Sequence, residues 1–505
     1  MSRTLQELLE AGAVDDPALL APERPPLDFA GLRRQCARTV ESLNALGIGR
    51  GDRVGIVLSN GPEMAGSFLA VAHAATTAPL NPAYRRSELE FYLSDIGARA
   101  VVVEQDGDTP ARQAARTLGI AVLELHHSPD DPAGVFELDG PHLGSAARTG
   151  HAAADDIALI LHTSGTTSRP KIVPLTHANL TASARNIAAA LRLEARDRCM
   201  NVMPLFHIHG LVAAILASLG AGGSTYCTPG FNALKFFAWL ADARPTWYTA
   251  VPTMHQAVLQ RAARSRSIIE AHPLRFIRSC SAALPVPVMH DLEETFGAPV
   301  IEAYAMTEAA HQMTCNPLPP APRKPGSVGI AAGPEVAVMD GDGRILDAGR
   351  TGEIVIRGEN VTGGYENNPK ANAENWTNGW FRTGDQGVMD EDGYLRVTGR
   401  LKEIINRGGE KVSPKEIDDV LVEHPAVAQV VTFAVPHPKL GEQIGAAVVV
   451  AEGRNIDEAE LKAFAAERLA PFKVPEKIVF LEEIPKGPTG KLQRIGLAGK
   501  LGLGS

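Results

Sequence analysis

The chain has 505 residues, of which 45% are hydrophobic and 21% are charged, and its formal net charge is -9. This length exceeds what one hydrophobic core usually organises, so we expect about two to four structural units, and the near-average composition excludes a disordered or fibrous protein. Because no block of lysine and arginine stands out from the acidic balance, the sequence also argues against a nucleic-acid-binding protein.

The cysteines and the termini predict a soluble, cytoplasmic protein. The cysteines are scattered and never spaced as CxxC, which is typical of reduced thiols and not of a structural zinc site; they are Cys36, Cys199, Cys227, Cys280 and Cys315. The first residues lack the apolar core of a secretory signal, and residues 501–505 do not match a peroxisomal address. The weakly polar run 210–223 is shorter than the ~20 residues of a membrane span and predicts a buried helix.

Short apolar runs alternate with longer segments of helical period from Arg53 to about Glu308. The predicted strands are residues 54–58, 100–103, 157–161, 247–251 and 276–279. Such alternation is typical of βαβ units with largely parallel sheets. The sequence therefore predicts an α/β fold for this part of the chain.

The pattern changes near Pro334, after which turn residues separate strand-like runs at 353–357 and 394–398. The sequence DEDG at 390–393 predicts a hairpin between two of these runs. Farther on, Ser413, Pro414 and Glu416 have the spacing of a helix that begins with a capping box. We therefore predict a large N-terminal domain over residues 1–400, with βαβ-type subdomains and a β-rich subdomain, and a small α+β C-terminal domain over residues 401–505.

A polar loop follows the predicted strand 157–161. Residues 162–171 read HTSGTTSRPK, so Gly165 and small hydroxyl residues let backbone N–H groups approach phosphate oxygens, and Lys171 adds a positive charge. The Walker A pattern is broken at Ser168 and Pro170, which disfavours an ordinary P-loop NTPase. A polar surface loop is the alternative, but the position directly after a buried strand favours phosphate binding.

Four further segments place polar residues at turns or strand ends. Thr307 and Glu308 follow an apolar run, and Asp385 follows a glycine turn, where a carboxylate can accept hydrogen bonds from ribose hydroxyls. Residues 399–409 join the β-rich part to the last domain, and residues 488–494 place Lys491 on a glycine-containing loop. Taken singly, each segment also fits an ordinary turn or linker.

Together and in this order, the five segments resemble the ANL superfamily of adenylate-forming enzymes, which includes acyl-CoA synthetases, peptide-synthetase adenylation domains and luciferases. The resemblance covers about residues 28–494. It implies that ATP activates a carboxylic acid as an acyl adenylate and that the acyl group then passes to a thiol. It also implies that the C-terminal domain is mobile and rotates between these steps about a hinge at Lys402.

The resemblance implies a role for each motif residue. Glu308 would bind Mg²⁺, Asp385 would bind the ribose hydroxyls with Arg400 beside it, and Gly408 and Gly409 would line the thiol channel. The implied catalytic residues are Lys491, Lys171, Thr307, Glu308 and His207. The implied nucleotide site further includes Thr163, Ser164, Gly165, Thr166, Thr167, Ser281, Glu302, Ala303 and Tyr304. Ile172 departs from the family, in which glycine usually follows Pro-Lys, and this would stiffen the loop.

Residues 203–210, 278–284 and 305–313 are most similar to the oxalate-CoA ligase branch of the family. Ser281 and His311 offer hydrogen bonds suited to a second carboxylate, whereas a fatty-chain pocket would be apolar. The branch places His207 at the acyl pocket. We therefore predict a short diacid such as oxalate; the alternatives are a structural role for His311 and a medium- or long-chain fatty acid substrate. The His207 and His209 pair also fits a metal site, but no further ligand cluster accompanies it.

Coenzyme A is the expected thiol, because the chain ends soon after Lys491 and no carrier domain follows. A stand-alone enzyme that loads a separate carrier protein is the alternative. A catalytically silent nucleotide-binding protein is an alternative of another class, and the joint presence of Lys491, Glu308 and Asp385 counts against it. The expected partners are thus a small carboxylic acid, ATP with Mg²⁺, and CoA, with the oligomeric state left open.

Overall fold

The computed structural model describes residues 2–163, 170–485 and 493–503. Its helices are α1 (Leu5–Leu8), α2 (Phe29–Ala45), α3 (Pro62–Ala72), α4 (Arg86–Asp95), α5 (Pro110–Leu118), α6 (His177–Ala190), α7 (Ala217–Gly220), α8 (Phe236–Ala243), α9 (Pro252–Ala262), α10 (Arg266–Ala271), α11 (Val286–Phe296), α12 (Pro369–Asn375), α13 (Pro414–Leu421), α14 (Glu458–Ala466) and α15 (Leu497–Lys500). Short 3₁₀ turns occupy Leu9–Ala11, Ala263–Ser265, Thr307–Ala309, Leu401–Glu403 and Pro471–Lys473, and a π-helical segment occupies His209–Leu216.

Two largely parallel sheets form the first part of the chain. Their strands are β1 (Pro17–Leu20), β2 (Leu27–Asp28), β3 (Arg53–Val57), β4 (Thr76–Pro79), β5 (Ala100–Glu104), β6 (Ala121–His126), β7 (Glu137–Asp139), β8 (Ile157–Thr163), β9 (Lys171–Thr176), β10 (Arg198–Asn201), β11 (Ser224–Cys227), β12 (Trp247–Ala250), β13 (Phe276–Ser279), β14 (Val300–Met306), β15 (His311–Cys315) and β16 (Ile330–Ala331). One sheet has the order β7-β6-β5-β3-β4-β8-β9, and the other has the order β16-β15-β14-β13-β12-β10-β11-β1-β2. The strands predicted from apolar runs are β3, β5, β8, β12 and β13, so the α/β prediction is confirmed.

Two of the helical segments that pack on these sheets are buried almost all round. Every residue of α3 is buried except Glu63, and the π-helical segment is buried throughout. The predicted buried helix at 210–223 is therefore confirmed, as a π-helical segment that continues into α7. In the part of the chain that the structure describes, no helix is both long enough and apolar enough to cross a membrane.

An antiparallel sheet follows, as the change of pattern near Pro334 predicts. Its strands are β17 (Glu335–Met339), β18 (Thr351–Arg357), β19 (Trp376–Thr377), β20 (Trp380–Met389) and β21 (Leu395–Arg400), in the order β17-β18-β20-β19, with β21 paired to β20. The predicted hairpin joins β20 to β21. There the Asp390 carboxylate accepts hydrogen bonds from the backbone N–H groups of Asp392 and Tyr394, which fixes the turn.

The last sheet consists of β22 (Ile405–Arg407), β23 (Glu410–Val412), β24 (Val427–His437), β25 (Gly441–Val450) and β26 (Lys477–Phe480). It has its own apolar core, which runs from Ile405 to Ile478 and includes side chains of α13 and α14. Helix α13 begins at Pro414 as predicted, but the predicted capping box is wrong. The Ser413 hydroxyl donates to the carbonyl oxygen of Thr398 in β21 and makes no cap hydrogen bond within its own helix.

Candidate functional site

Several of the predicted nucleotide-site residues that the structure describes lie around the carboxyl end of β14. Strands β13 and β14 run parallel and Ser279 pairs with Glu302, so Ser281 and the turn at Thr307 leave the same edge of the sheet. Ligands of open α/β sheets bind outside this edge. The topology therefore gathers residues that are far apart in sequence.

Asp385 joins this edge to the antiparallel sheet. Asp385 pairs with Arg400 across β20 and β21, and its Oδ1 accepts a hydrogen bond from Arg400 Nε at 2.8 Å. The Tyr304 hydroxyl donates to Oδ2 of the same carboxylate. Burial raises the pKa of Tyr304 well above its usual value, so this hydroxyl stays protonated and keeps donating. Since a carboxylate offers about four acceptor sites, the oriented Asp385 side chain retains capacity for ligand hydroxyls.

A second cluster surrounds Glu308. The Tyr365 hydroxyl donates to Glu308 Oε1 at 2.8 Å, and Lys171 Nζ lies 4.2 Å from the centroid of the Tyr365 ring. Glu308 is only 6% exposed, and burial raises the pKa of its carboxyl group. Burial also lowers the pKa of Lys171, while the negative charge of Glu308 opposes that shift. A cation placed here would favour the charged form of Glu308.

Lys402, the predicted hinge residue, lies near this second cluster. It belongs to the 3₁₀ turn Leu401–Glu403, which links β21 to β22. Burial is the main cause that lowers the pKa of Lys171, and the negative charge of Glu308 opposes it. The positive charge of Lys402 is a smaller cause that lowers the pKa further. The link between the sheets thus passes close to the end of the predicted phosphate loop.

The two ends of the predicted phosphate loop lie side by side. Thr163 pairs with Lys171 across the antiparallel pair β8 and β9, and buried Ile172 pairs with His162. A strand therefore follows the loop where a P-loop would lead into a helix, which agrees with the broken Walker A pattern. Several predicted residues lie outside the described residues: Ser164, Gly165, Thr166, Thr167 and Lys491.

Among the acyl-pocket residues, Ser281 contacts His209. Ser281 Oγ lies 3.1 Å from His209 Nδ1, and His209 Nε2 lies 2.6 Å from Thr249 Oγ1. The ring centroids of His209 and His311 are 5.1 Å apart, and both residues are fully buried, whereas Ser281 is partly exposed. His207 is also partly exposed, and its Nδ1 accepts a hydrogen bond from the backbone N–H of His209 at 3.2 Å.

The backbone is strained at this pocket. Ser281 has φ 74° and His311 has φ 106°, both in the left-handed region. Non-glycine residues there cost about 1–3 kcal/mol each and persist where the surroundings fix them, often at ligand sites. The strain therefore marks the two residues that the sequence singled out as donors to a second carboxylate.

Sequence reasoning missed three members of this cluster: Thr249, His209 and Arg278. The sequence indicates His209 only as one half of a possible metal pair, yet both of its ring nitrogens face hydroxyl groups. Arg278 lies in β13 directly after the buried Phe276 and Ile277. An arginine within a strand of buried apolar residues could have indicated this position, because arginine is rarely fully buried unless it has a partner.

The remaining predicted residues lie in β14 and in the turn between β22 and β23. The Glu302 carboxylate accepts a hydrogen bond from the backbone N–H of Leu284 at 2.9 Å, and burial raises its pKa to about 7. It thereby anchors the segment that carries Ser281. Ala303 is buried in β14. Gly408 and Gly409 form the turn between β22 and β23 with φ of 61° and 99°, values that favour glycine.

The described ranges contain no group of three or more histidine, cysteine, aspartate or glutamate side chains arranged to hold a metal ion. The buried oxygen atoms of Glu308 belong to the hard ligands that Mg²⁺ accepts, and such an ion commonly takes one or two carboxylates together with substrate phosphates. The single carboxylate therefore fits an ion that arrives with a phosphate ligand.

Comparison with known proteins gives a consistent match over nearly the whole chain. A family model of AMP-binding enzymes matches residues 9–366, and a model of the AMP-binding enzyme C-terminal domain matches residues 416–491. The sequence is 46% identical to an oxalate–CoA ligase of Arabidopsis thaliana, over 96% of this chain and 97% of that protein. It is 42% identical to an oxalate–CoA ligase of Saccharomyces cerevisiae, over 88% of this chain and 86% of that protein.

The fold is similar to the crystal structure of ATP-bound MatB from Rhodopseudomonas palustris. The TM-score is 0.88 with 31% sequence identity, and the match covers 99% of each chain.

Proposed function

The chain belongs to the AMP-binding enzyme family, and from this premise we propose that it is an AMP-forming ligase that joins oxalate to coenzyme A. The observation that carries the proposal is the 46% identity to an oxalate–CoA ligase over 96% of the chain. The fatty-acid and carrier-protein alternatives are not favoured, since the similar protein from yeast is an oxalate–CoA ligase as well.

The reaction has two steps. An oxygen of one oxalate carboxylate attacks the α-phosphorus of ATP, the bond to the β-phosphate oxygen breaks, and pyrophosphate leaves with the electron pair. The CoA sulfur, having lost its proton, then attacks the acyl carbon of oxalyl adenylate and expels AMP. The first step builds negative charge on phosphate oxygens, so cations already in place lower its barrier.

We assign nucleotide binding to the two clusters at the end of β14. Asp385, held by Tyr304 and Arg400, accepts hydrogen bonds from the ribose hydroxyls. Lys171 places its charge at the end of the phosphate loop, beside Glu308. The Glu308 carboxylate would hold Mg²⁺, which supplies positive charge to the phosphates when bound. The burial of Glu308 near the positive charge of Lys171 supports this assignment.

We further propose that the chain divides into domains at residues 400 and 401 and that Lys402 is the hinge. The separate apolar core from Ile405 to Ile478 supports the division, and the short turn Leu401–Glu403 supports the hinge. On this proposal Lys491 stabilises charge in the first step, and rotation then brings Gly408 and Gly409 to the thiol channel.

We assign the second carboxylate of oxalate to the strained pocket that contains Ser281 and His311, with His207 at its border. A buried carboxylate is tolerated only where hydrogen-bond donors or cations replace its lost water. We also place the enzyme in the cytoplasm, a proposal supported by the absence of a disulfide among the five buried, free cysteines.

The test is an acid panel in a pyrophosphate-release assay, with the CoA product identified by mass spectrometry. We expect oxalate to give the highest kcat/KM, with malonate below it and acetate, butyrate and octanoate lower still. Oxalyl-CoA should accumulate only when ATP, Mg²⁺ and CoA are all present. A preference for octanoate would overturn the substrate assignment, and the absence of pyrophosphate release with every acid would overturn the activity.

A further inference from the structure

Arg278 is a buried cation that has no carboxylate partner in the described part of the chain. The residue is 0% exposed and lies in β13, an interior strand of its sheet. Its Nη1 lies 3.4 Å from both Thr249 Oγ1 and His209 Nε2, its Nη2 lies 3.3 Å from Gln312 Oε1, and its Nε has no hydrogen-bond acceptor. Burying a guanidinium with only neutral partners is costly, so an anion that approaches this region gains from the charge.

The hydrogen-bond directions around Arg278 follow from its chemistry. A guanidinium only donates, so Thr249 Oγ1 accepts from Arg278 Nη1, and the same Nη1, 3.4 Å from His209 Nε2, favours the tautomer in which Nε2 accepts. In that tautomer the Thr249 hydroxyl donates to His209 Nε2, 2.6 Å away. With Nε2 accepting, the ring proton of His209 is on Nδ1. Nδ1–H then donates to Ser281 Oγ, which lies 3.1 Å away.

The relay ends at the one partly exposed residue in it. Thr249, His209 and Arg278 are fully buried, whereas Ser281 is partly exposed and held at φ 74°. Because Ser281 Oγ already accepts from His209, its own hydrogen is available to donate to a ligand. Hydrogen bonds in such a chain polarise one another, so the charge of Arg278 strengthens the terminal donor.

We propose that Arg278 is the positioning residue that makes the acyl pocket selective for a second carboxylate. It acts through Thr249 and His209 to present the Ser281 hydroxyl as a donor, and it supplies the positive charge that balances a dicarboxylate. The inference rests on the proposed function, since it concerns the distal carboxylate of the acid that the ligase activates.

A purely structural role for Arg278 makes a different prediction. Arg278 also ties β13 to β12 through Thr249 and to β15 through Gln312. If that were its only role, its replacement would lower stability and affect every acid by the same factor. Discrimination between acids therefore separates the two roles.

The experiment compares oxalate with glyoxylate, a monoacid of nearly the same size, in wild type and in Arg278→Met. The affinity for glyoxylate is measured as KM if the acid is activated and as an inhibition constant if it is not. We expect the KM for oxalate to rise about 10- to 100-fold, the effect of losing a charge-assisted hydrogen bond, with kcat changed far less. The constant for glyoxylate and the KM for ATP should change less than about 3-fold.

Two further variants and a control sharpen the test. Arg278→Lys keeps the charge and should restore part of the oxalate affinity. Thr249→Val interrupts the relay without removing the charge, and it serves where Arg278→Met does not fold. The control is Arg261→Met in α9, because Arg261 makes its hydrogen bond to Ala257 in its own helix and should leave both constants unchanged.

The outcomes keep this inference apart from the proposed function. If wild type does not make oxalyl-CoA, the proposed function fails, whatever the variants do. If wild type makes oxalyl-CoA but Arg278→Met and Thr249→Val alter the constants for both acids equally, the positioning role is overturned and the proposed function stands.

Discussion

At the scale of single residues, Asp385 shows how the structure prepares one carboxylate for a ligand. Its two oxygens accept from Arg400 and Tyr304, which come from different sheets, and the carboxylate side chain is 6% exposed. Such support fixes the direction in which the remaining acceptor sites point. The loss of a charged acceptor at this position should therefore reduce nucleotide binding specifically.

We predict that Asp385→Asn raises the KM for ATP about 10- to 150-fold, the equivalent of ~1.5–3 kcal/mol for hydrogen bonds to a charged group. The KM for oxalate should change little, because Asp385 lies outside the acyl pocket. Steady-state kinetics with each substrate varied in turn measure both constants.

A matched control for this change is Asp390→Asn. Asp390 lies five positions later, directly after the same strand, and its carboxylate binds the partly exposed Lys324, which is not a site residue. We expect wild-type KM values for the control. An unchanged KM for ATP in Asp385→Asn would show that the ribose is held elsewhere.

At the scale of elements, the turn Leu401–Glu403 lies in the short segment that links β21 of the antiparallel sheet to β22 of the last sheet. A few backbone dihedrals in such a link can absorb a large rotation. Proline fixes φ near -65° and disfavours the helical region for the residue before it, here Leu401. Substitution by proline therefore restricts the backbone of the link.

We predict that Lys402→Pro folds but retains only one of the two half-reactions. Adenylate formation is measured by pyrophosphate release, and thioester formation is measured with supplied oxalyl adenylate or a stable analogue of it. Lys402→Ala is the control, since it removes the charge near Lys171 but leaves the backbone free. Both half-reactions at wild-type rates in Lys402→Pro would place the hinge at other residues.

At the scale of the whole molecule, buried neutral histidines link the stability of the fold to pH. His73 is 3% exposed, and burial lowers its pKa to about 4. Nearby His177 is 1% exposed, and burial lowers its pKa to about 4 as well. As the pH falls from about 6.5 toward 4, the unfolded chain takes up protons that the folded chain refuses, so stability is lost in this window.

We predict that His73→Gln reduces this pH dependence. When the pH falls from about 7.5 to about 5, one such histidine lowers the free energy of unfolding by about 2 kcal/mol. The free energy of unfolding of the variant should therefore fall by about 2 kcal/mol less than that of wild type. Urea unfolding followed by tryptophan fluorescence measures the difference. All four tryptophans lie before residue 400, so the signal reports on the part of the chain that contains His73. His290→Gln, at an exposed position of α11, should behave as wild type. Equal pH dependence in all three proteins would contradict the prediction.

The sequence by itself determined the elements whose signals are local. Apolar runs gave β3, β5, β8, β12 and β13, and the DEDG turn gave the hairpin between β20 and β21. Through the resemblance that they carry, the ordered motifs also predicted a common nucleotide site for Asp385, Glu308 and Lys171. These signals are short in range, since alternation and turn chemistry depend on neighbouring residues.

Only the tertiary structure decided which distant side chains meet. Tyr304 reaches Asp385 from 81 positions away. Ser413, directly before α13, donates to Thr398 in β21, where the sequence predicted a helix cap. Arg278 is enclosed by β12, β15 and the segment that begins at His209, and its hydrogen-bond partners there are neutral side chains of the described residues. The order of the strands and the packing of the helices fix these contacts. Both depend on the burial of apolar surface across the whole domain, so they cannot be predicted from a local sequence pattern.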